Sequence, residues 1–126
     1  MKTLLACAAL LCTAATWVAD VKTIDGAQIY VDTDSFVVLA KGQGLLSWEK
    51  TVYANGTINM ARVARDCKDR TYKILESHLY EKGAKVPKDF YATDSTSWTS
   101  AIPDTIGDYQ MTEICAALAH ANDITT

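Results

Sequence analysis

Short runs in which apolar side chains recur among polar ones fill most of the chain between residues 17 and 91. They are rich in Val, Ile, Thr, Tyr and Trp, which favour strands. Pro87 lies in the last run and indicates an edge strand, because proline cannot donate a ladder hydrogen bond. The pattern predicts a small antiparallel sheet of about six strands, drawn from residues 17–24, 27–31, 36–40, 45–54, 57–67, 70–81 and 85–91.

Turn residues separate these runs. Asp25-Gly26 and Asn55-Gly56 each stand between two strand-like segments, which is a strong hairpin signal. For Asp25-Gly26 we expect a type I′ turn, which needs a positive φ at both central residues.

The run at residues 70–81 carries apolar side chains on both faces. Simple alternation puts Leu75 and Leu79 on one face and Ile74, His78 and Tyr80 on the other. Such a strand can pack a helix on one side and meet a partner chain on the other.

A helix is predicted after Pro103. Residues 105–108 resemble a capping box, and Asp104 and Asp108 suit the positive end of the helix dipole. An apolar stripe with helical spacing then follows, formed by Met111, Ile114, Cys115 and Leu118. The chain is therefore predicted to be α+β, with a C-terminal helix packed on the sheet.

The beginning of the chain is typical of a secretory signal peptide. Lys2 precedes an apolar run at residues 4–15, which ends in small residues and is too short to span a bilayer. Cleavage is expected after Ala15, leaving residues 16–126 as a single domain without a transmembrane segment. Leucine just before Cys12 is a poor fit to a lipoprotein box, and Cys7, whose local context is better, leaves only six residues for a signal, so a lipid anchor is not expected. The expected location is the periplasm, the outer membrane surface or the secreted fraction.

Two cysteines, Cys67 and Cys115, remain in the mature chain. An exported domain meets oxidising conditions, so a disulfide between them is expected. A zinc site would need three or four ligands at short spacing, and only the distant His78 and His120 could join. Because Cys115 lies in the apolar stripe, the disulfide would fix the helix to the sheet.

Charge is distributed unevenly along the chain. The 12 basic and 15 acidic residues of the full sequence give a net charge of −3, yet basic residues cluster between residues 62 and 88 and none follows Lys88. This arrangement suits contact with a polyanion or an acidic protein patch, or else a solvated sheet face beside an acidic helix. The candidate ligand-binding residues are Arg62, Arg65, Lys68, Arg70, Lys73 and Lys85.

Catalytic and metal-binding patterns are weak. No serine lies in a nucleophile elbow, and no nucleophile or carboxylate can be assigned to His78 from the sequence. Residues 32–35 alternate oxygen-bearing side chains but lack the glycine and distal glutamate of a calcium loop. We therefore predict a protein that is not an enzyme, has no cofactor or metal, and does not bind nucleic acid.

Three segments together resemble the bacterial surface-adhesin protein E family. They are Tyr-Val-Asp-Thr-Asp-Ser at residues 30–35, Asp-Cys-Lys-Asp-Arg-Thr-Tyr-Lys-Ile-Leu at 66–75 and Ile-Pro-Asp-Thr-Ile-Gly at 102–107, followed by the helical cysteine. The resemblance covers roughly residues 17–119. It implies a Gram-negative source and an antiparallel sheet with a C-terminal helix held by Cys67–Cys115. The family's characterised members are outer-membrane lipoproteins that bind host matrix glycoproteins and can dimerise; this chain lacks their lipoprotein box.

Two functions follow as hypotheses. The first is a secreted or envelope-associated, non-enzymatic binding module that contacts host matrix glycoproteins or polyanions through its basic residues. The resemblance assigns no ligand role to those residues. The alternative is a structural periplasmic protein that self-associates, for example as a homodimer, and has no host ligand.

Overall fold

The computed structural model describes residues 15–39, 43–93 and 97–125, with side chains described up to His120. The proposed signal peptide therefore lies, apart from Ala15, outside the described residues. One antiparallel sheet and one long helix make up the described part of the chain. The elements are β1 Trp17–Lys22, β2 Gln28–Asp32, β3 Val37–Val38, β4 Gly44–Val52, β5 Ile58–Asp66, β6 Thr71–Tyr80, β7 Asp89–Ala92, β8 Thr99–Ser100 and α1 Ile106–Thr125.

The sheet confirms the predicted α+β class. Its main path runs β1-β2-β4-β5-β6-β7, and every pairing is antiparallel. Two short additions extend it, β3 against β4 and β8 against β6. β3 is shorter than the predicted strand at 36–40, and a single 3-10 turn at Thr33–Ser35 precedes it. β7 begins after Pro87, later than predicted.

The two hairpins form as predicted, but their turns are of another type. Gly26 and Gly56 have φ of 93° and 89°, whereas among the described residues only Arg70 and Asp104 have positive φ without being glycine. In each hairpin the glycine N–H bonds a carbonyl three residues earlier. These are type I turns followed by a left-handed glycine, so the predicted type I′ turn at Asp25-Gly26 is wrong. A hairpin needs only one residue with a positive φ when a bulge after the turn restores the twist of the two strands.

The helix packs on one face of the sheet through its predicted apolar stripe. Met111, Ile114 and Leu118 are buried, with Met111 at 0% exposure, and Ile114 and Leu118 form a cluster with Val31 and Leu45. This small apolar core is the contact that orients α1 across the sheet.

The helix begins as the capping pattern predicts. The Asp108 N–H donates to Thr105 Oγ1 at 3.3 Å, and Asp108 Oδ2 accepts from the Asp104 N–H at 3.2 Å. These bonds satisfy backbone donors that the first helical turn leaves free.

The predicted disulfide is present. Cys67, directly after β5, is bonded to Cys115 in α1, with 5.7 Å between their Cα atoms. Cys67 also donates its N–H to the Gln43 carbonyl at 2.7 Å. The bond thus joins the end of a central strand to the middle of the helix.

A bulge in β6 changes which side chains share a face. The ladder pairs Arg62 with Glu76 but Val63 with Ile74, so Leu75 is the extra residue. Ile74 therefore lies on the helix side, opposite to His78 and Tyr80. Grouping Ile74 with those two residues was wrong, because strict alternation fails across a bulge.

Among the described residues, no helix combines the length and the apolar character that crossing a bilayer demands.

Candidate functional site

The face of the sheet opposite α1 is covered by no helix of the described chain. The strand register lines up a row of side chains across it: Tyr30 pairs with Lys50, Lys50 with Met60, Met60 with His78, and His78 with Phe90. We call this surface the uncovered face. It is defined by Trp17, Tyr30, Trp48, Lys50, Met60, Arg62, Lys73, Glu76, His78, Tyr80 and Phe90.

Two adjoining depressions form a groove on this face. One has a volume of about 320 Å³. It is lined by Trp48 and His78 at the end farther from Lys85, which we call the inner end. The other, of about 390 Å³, extends to Lys85. Both are lined by Trp17, Met60 and Tyr80, so the groove is continuous and has aromatic side chains in both parts.

Lysine ammonium groups of this face lie over aromatic rings, two of them on the face itself and one, Trp98, outside it. Lys50 Nζ is 4.6 Å from the ring centroid of Trp17 and 5.2 Å from that of Tyr30. Lys73 Nζ is 4.9 Å from the ring centroid of Trp98. These distances fall within the range of cation–π attraction, which orients the ammonium groups without neutralising them.

An Arg–Glu–His cluster lies in the middle of the face. His78 Nε2 is 3.0 Å from Glu76 Oε1, and Arg62 Nε is 3.4 Å from Glu76 Oε2. The arginine contact is poorly aligned, and Arg62 Nε has no hydrogen-bond partner among the described residues. Phe90 lies on the other side of His78, with 4.7 Å between ring centroids. The cluster holds His78 within the aromatic surface.

The predicted basic residues do not form one patch. Arg62, Lys73 and Lys85 lie on or beside the uncovered face. Lys68 is exposed in the turn between β5 and β6. Arg70, in the same turn, binds the helix instead: its Nη2 donates to Asp108 Oδ1 and Thr112 Oγ1.

Arg65 lies under the helix, on the other face of the sheet. It is 5% exposed and forms an ion pair with Glu49. Gln110 Nε2 connects this pair to the helix, donating to Glu49 Oε1 at 3.4 Å and to Asp20 Oδ2 at 3.2 Å. The guanidinium of Arg65 is thus engaged inside the domain and is not presented on its surface.

A small cleft of about 160 Å³ borders this buried cluster, near Tyr72, Ile74 and Gly107. Because Arg65 already has Glu49 as its partner, the cleft carries no free positive charge for an anion.

Asp108 has an altered acidity at the helix start. The hydrogen bond from Arg70, assisted by the Asp104 N–H, lowers the pKa of the Asp108 carboxyl below its ordinary value of 3.8. A lowered folded-state pKa means that the carboxylate stabilises the fold above about pH 4. That contribution is lost as the pH falls through the folded-state pKa.

His78 has the carboxylate of Glu76 beside it, so we considered which hydroxyl or thiol groups lie close enough for it to act on. The described lining of its depression contains one hydroxyl, the phenol of Tyr80, and no thiol or aliphatic hydroxyl. Among the described residues, no group of three or more His, Cys, Asp or Glu side chains could hold a metal ion.

The aromatic groove was not among the predicted site residues. A signal for it exists in the sequence: Trp48 and Lys50, and likewise His78 and Tyr80, stand two residues apart and so share a strand face. Only the register between strands shows that these pairs meet.

Comparison of this chain with family profiles, with curated proteins and with solved structures finds no match.

Proposed function

We propose that this protein is a non-enzymatic binding module of the cell envelope or the secreted fraction, and that the uncovered face contacts its ligand. The observation that carries the proposal is the groove with its aromatic side chains, beside which Lys50 lies over the rings of Trp17 and Tyr30. Apolar patches rimmed by polar side chains are typical of interaction sites. Tryptophan, tyrosine and arginine are also the residues that most often dominate binding energy.

The resemblance to surface-adhesin protein E supports a host matrix glycoprotein as the partner. Export supplies the access that such a partner requires, and it rests on the signal-like residues 1–15. Within this proposal the ligand surface differs from the basic set inferred from charge alone. Arg62, Lys73 and Lys85 remain in it, while Arg65 and Arg70 serve the fold.

The test is binding of the oxidised protein to immobilised matrix glycoproteins at physiological salt. Trp48→Ala removes the ring at the inner end of the groove and should weaken binding at least about tenfold. The matched control is Tyr109→Ala, which removes a 49% exposed aromatic side chain from the helix. Binding by that variant should stay within about twofold of the parent.

Folding of each variant is checked by circular dichroism and thermal unfolding. Since Trp48 is half-buried, Lys50→Glu provides a second variant that keeps the aromatic rings. Equal binding by the parent, Trp48→Ala and Lys50→Glu would refute the uncovered face as the contact surface.

A second candidate function, self-association, has its own observation. β7 forms an edge of the sheet and exposes two large side chains, Phe90 at 61% and Tyr91 at 55%. Exposed edges with aromatic side chains can pair with another copy. Sedimentation equilibrium decides this: a concentration-dependent dimer that Phe90→Lys abolishes would favour it, and a monomer at all concentrations would exclude it.

A further inference from the structure

We propose that the uncovered face binds an acidic saccharide chain. Its sugar rings would stack on the aromatic side chains of the groove, and its carboxylate or sulfate groups would meet the lysines beside them. The inference rests on the proposed function and names the class of ligand that the surface takes.

The aromatic residues of the groove are better suited to binding a sugar than to binding a flat apolar patch on another protein. A pyranose ring has an apolar C–H face and a polar hydroxyl rim, so it requires a ring to stack on and donors at that ring's edge. Trp17, Trp48 and Tyr80 supply both, since an indole N–H or a phenol O–H borders each ring. Within the described residues these polar atoms form no hydrogen bond and are open to a ligand.

The charge of the face favours an acidic ligand. Among the described residues, no carboxylate lies within ion-pair distance of Lys50 or Lys73. The central carboxylate of the face, Glu76, is already held between Arg62 and His78. Glu81, at the far end of the groove, is 3.7 Å from Lys88. Asp32 also lines the groove, where its carboxylate accepts hydrogen bonds from the Thr16 and Asp34 N–H groups. Lys50, Lys73 and Lys85 outnumber it, so positive charge remains in excess on this face although the whole chain carries a net charge of −3.

The spacing of the lysines favours a chain over a single sugar. Lys50 and Lys73 are two strands and four residue positions apart, which corresponds to about 16 Å between their Cα atoms. Lys85 lies beyond Lys50 at the other end of the groove. A saccharide laid along the groove would thus pass Lys85 and Lys50, with Trp17 and Trp48 beneath its rings, and would meet Lys73 only beyond the groove, since Lys73 lines neither depression.

The experiment uses the three tryptophan indole N–H signals of the full oxidised protein in a proton–nitrogen NMR titration. The probes are a heparin hexasaccharide, which carries sulfate and carboxylate, a hyaluronan hexasaccharide, which carries carboxylate alone, and uncharged maltohexaose. Acidic probes should shift the indole signals of Trp17 and Trp48. Shifts with both acidic probes show that carboxylate suffices, and shifts with heparin alone assign the contact to sulfate; either result supports the proposal.

Charge variants separate a built site from general attraction. Lys50→Gln should weaken binding of the acidic probe roughly tenfold, the usual effect of losing one hydrogen bond to a charged group. The control is Lys68→Gln, which removes the same charge from the exposed β5–β6 turn. It should leave the affinity within about twofold of the parent. Equal losses in both variants would overturn the proposal.

Two further results would also overturn it: maltohexaose binding as tightly as the acidic probes, or acidic probes that leave the Trp17 and Trp48 signals unchanged. The same indole signals then test the proposed function separately from the saccharide proposal. If a soluble matrix glycoprotein shifts them, the uncovered face is a binding surface with another ligand class. If their shifts follow protein concentration alone, a second copy occupies the face. If nothing shifts them, the proposed function fails as well.

Discussion

Arg62 and Arg65 lie three residues apart on β5 and therefore point to opposite faces of the sheet. The side chain of Arg62 is 37% exposed and faces a half-exposed glutamate, Glu76. The side chain of Arg65 is 6% exposed and paired with the buried Glu49. Burial of an ion pair raises the free-energy cost of replacing one of its partners, because the remaining charge is then left without solvent and without a counter-ion. The two arginines should therefore respond differently to the same substitution.

We predict that Arg65→Met lowers the free energy of unfolding by about 3–5 kcal/mol, since it leaves Glu49 buried and unpaired. The double variant Glu49→Leu/Arg65→Met should recover most of that loss, because it removes both charges together. The matched control Arg62→Met should cost no more than about 1 kcal/mol. Urea unfolding measures all three. A double variant as unstable as Arg65→Met alone would contradict this account of the pair.

At the scale of elements, α1 is held to the sheet by few contacts. Its buried apolar side chains are Met111, Ile114 and Leu118, and its polar links are those of Gln110 with Glu49 and of Asp108 with Arg70. The Cys67–Cys115 bond adds a covalent link near the centre of this interface. A helix packed on a sheet face through so small a core depends strongly on such a link.

Replacing the disulfide by Cys67→Ala/Cys115→Ala should lower the free energy of unfolding by about 4 kcal/mol. The chain-entropy model gives that value for the loop closed by a sequence separation of 48 residues. The denaturant dependence of unfolding should also become steeper, because the unfolded chain is no longer constrained and exposes more surface.

Urea unfolding of the oxidised parent and the double variant provides this measurement. A difference below about 1 kcal/mol would have one of two meanings. Either the unfolded state of the double variant keeps residual contacts between the helix and the sheet, or docking of the helix does not need the covalent link.

At the scale of the whole molecule, the sheet has a stable middle and weak edges. β4 and β5 pair along nine residues and each is bonded on both sides. β7 pairs with β6 alone, along four residues that are all exposed. Local opening is easiest where backbone hydrogen bonds are few and solvent-exposed.

We expect amide hydrogen exchange to follow this arrangement. The amides of β5 should exchange only by global unfolding, whereas those of β7 should exchange through local opening at a much lower free energy. Native-state exchange followed by NMR in low urea distinguishes the two classes. If β7 is protected as strongly as β5, an interaction absent from the isolated chain, such as a second copy at that edge, must cover it.

Much of the fold could be read from local patterns. The helix was predictable because Met111, Ile114 and Leu118 recur with helical spacing after a capping sequence. The disulfide was predictable because Cys67 and Cys115 are the only cysteines after the signal-like segment. The turn type at Asp25-Gly26 was not, since the same dipeptide fits a type I turn followed by a left-handed glycine.

The sequence by itself determined most of the strand segments and the start of the helix, because both depend on neighbours along the chain. It also determined the disulfide, because only two cysteines follow the signal-like segment. Only the tertiary structure decided what the basic residues do. The bulge at Leu75 and the register of β4, β5 and β6 place Lys50 and His78 in the aromatic groove and Arg65 under the helix. Register sets the face of every side chain, and it is fixed by packing between strands that are distant in sequence.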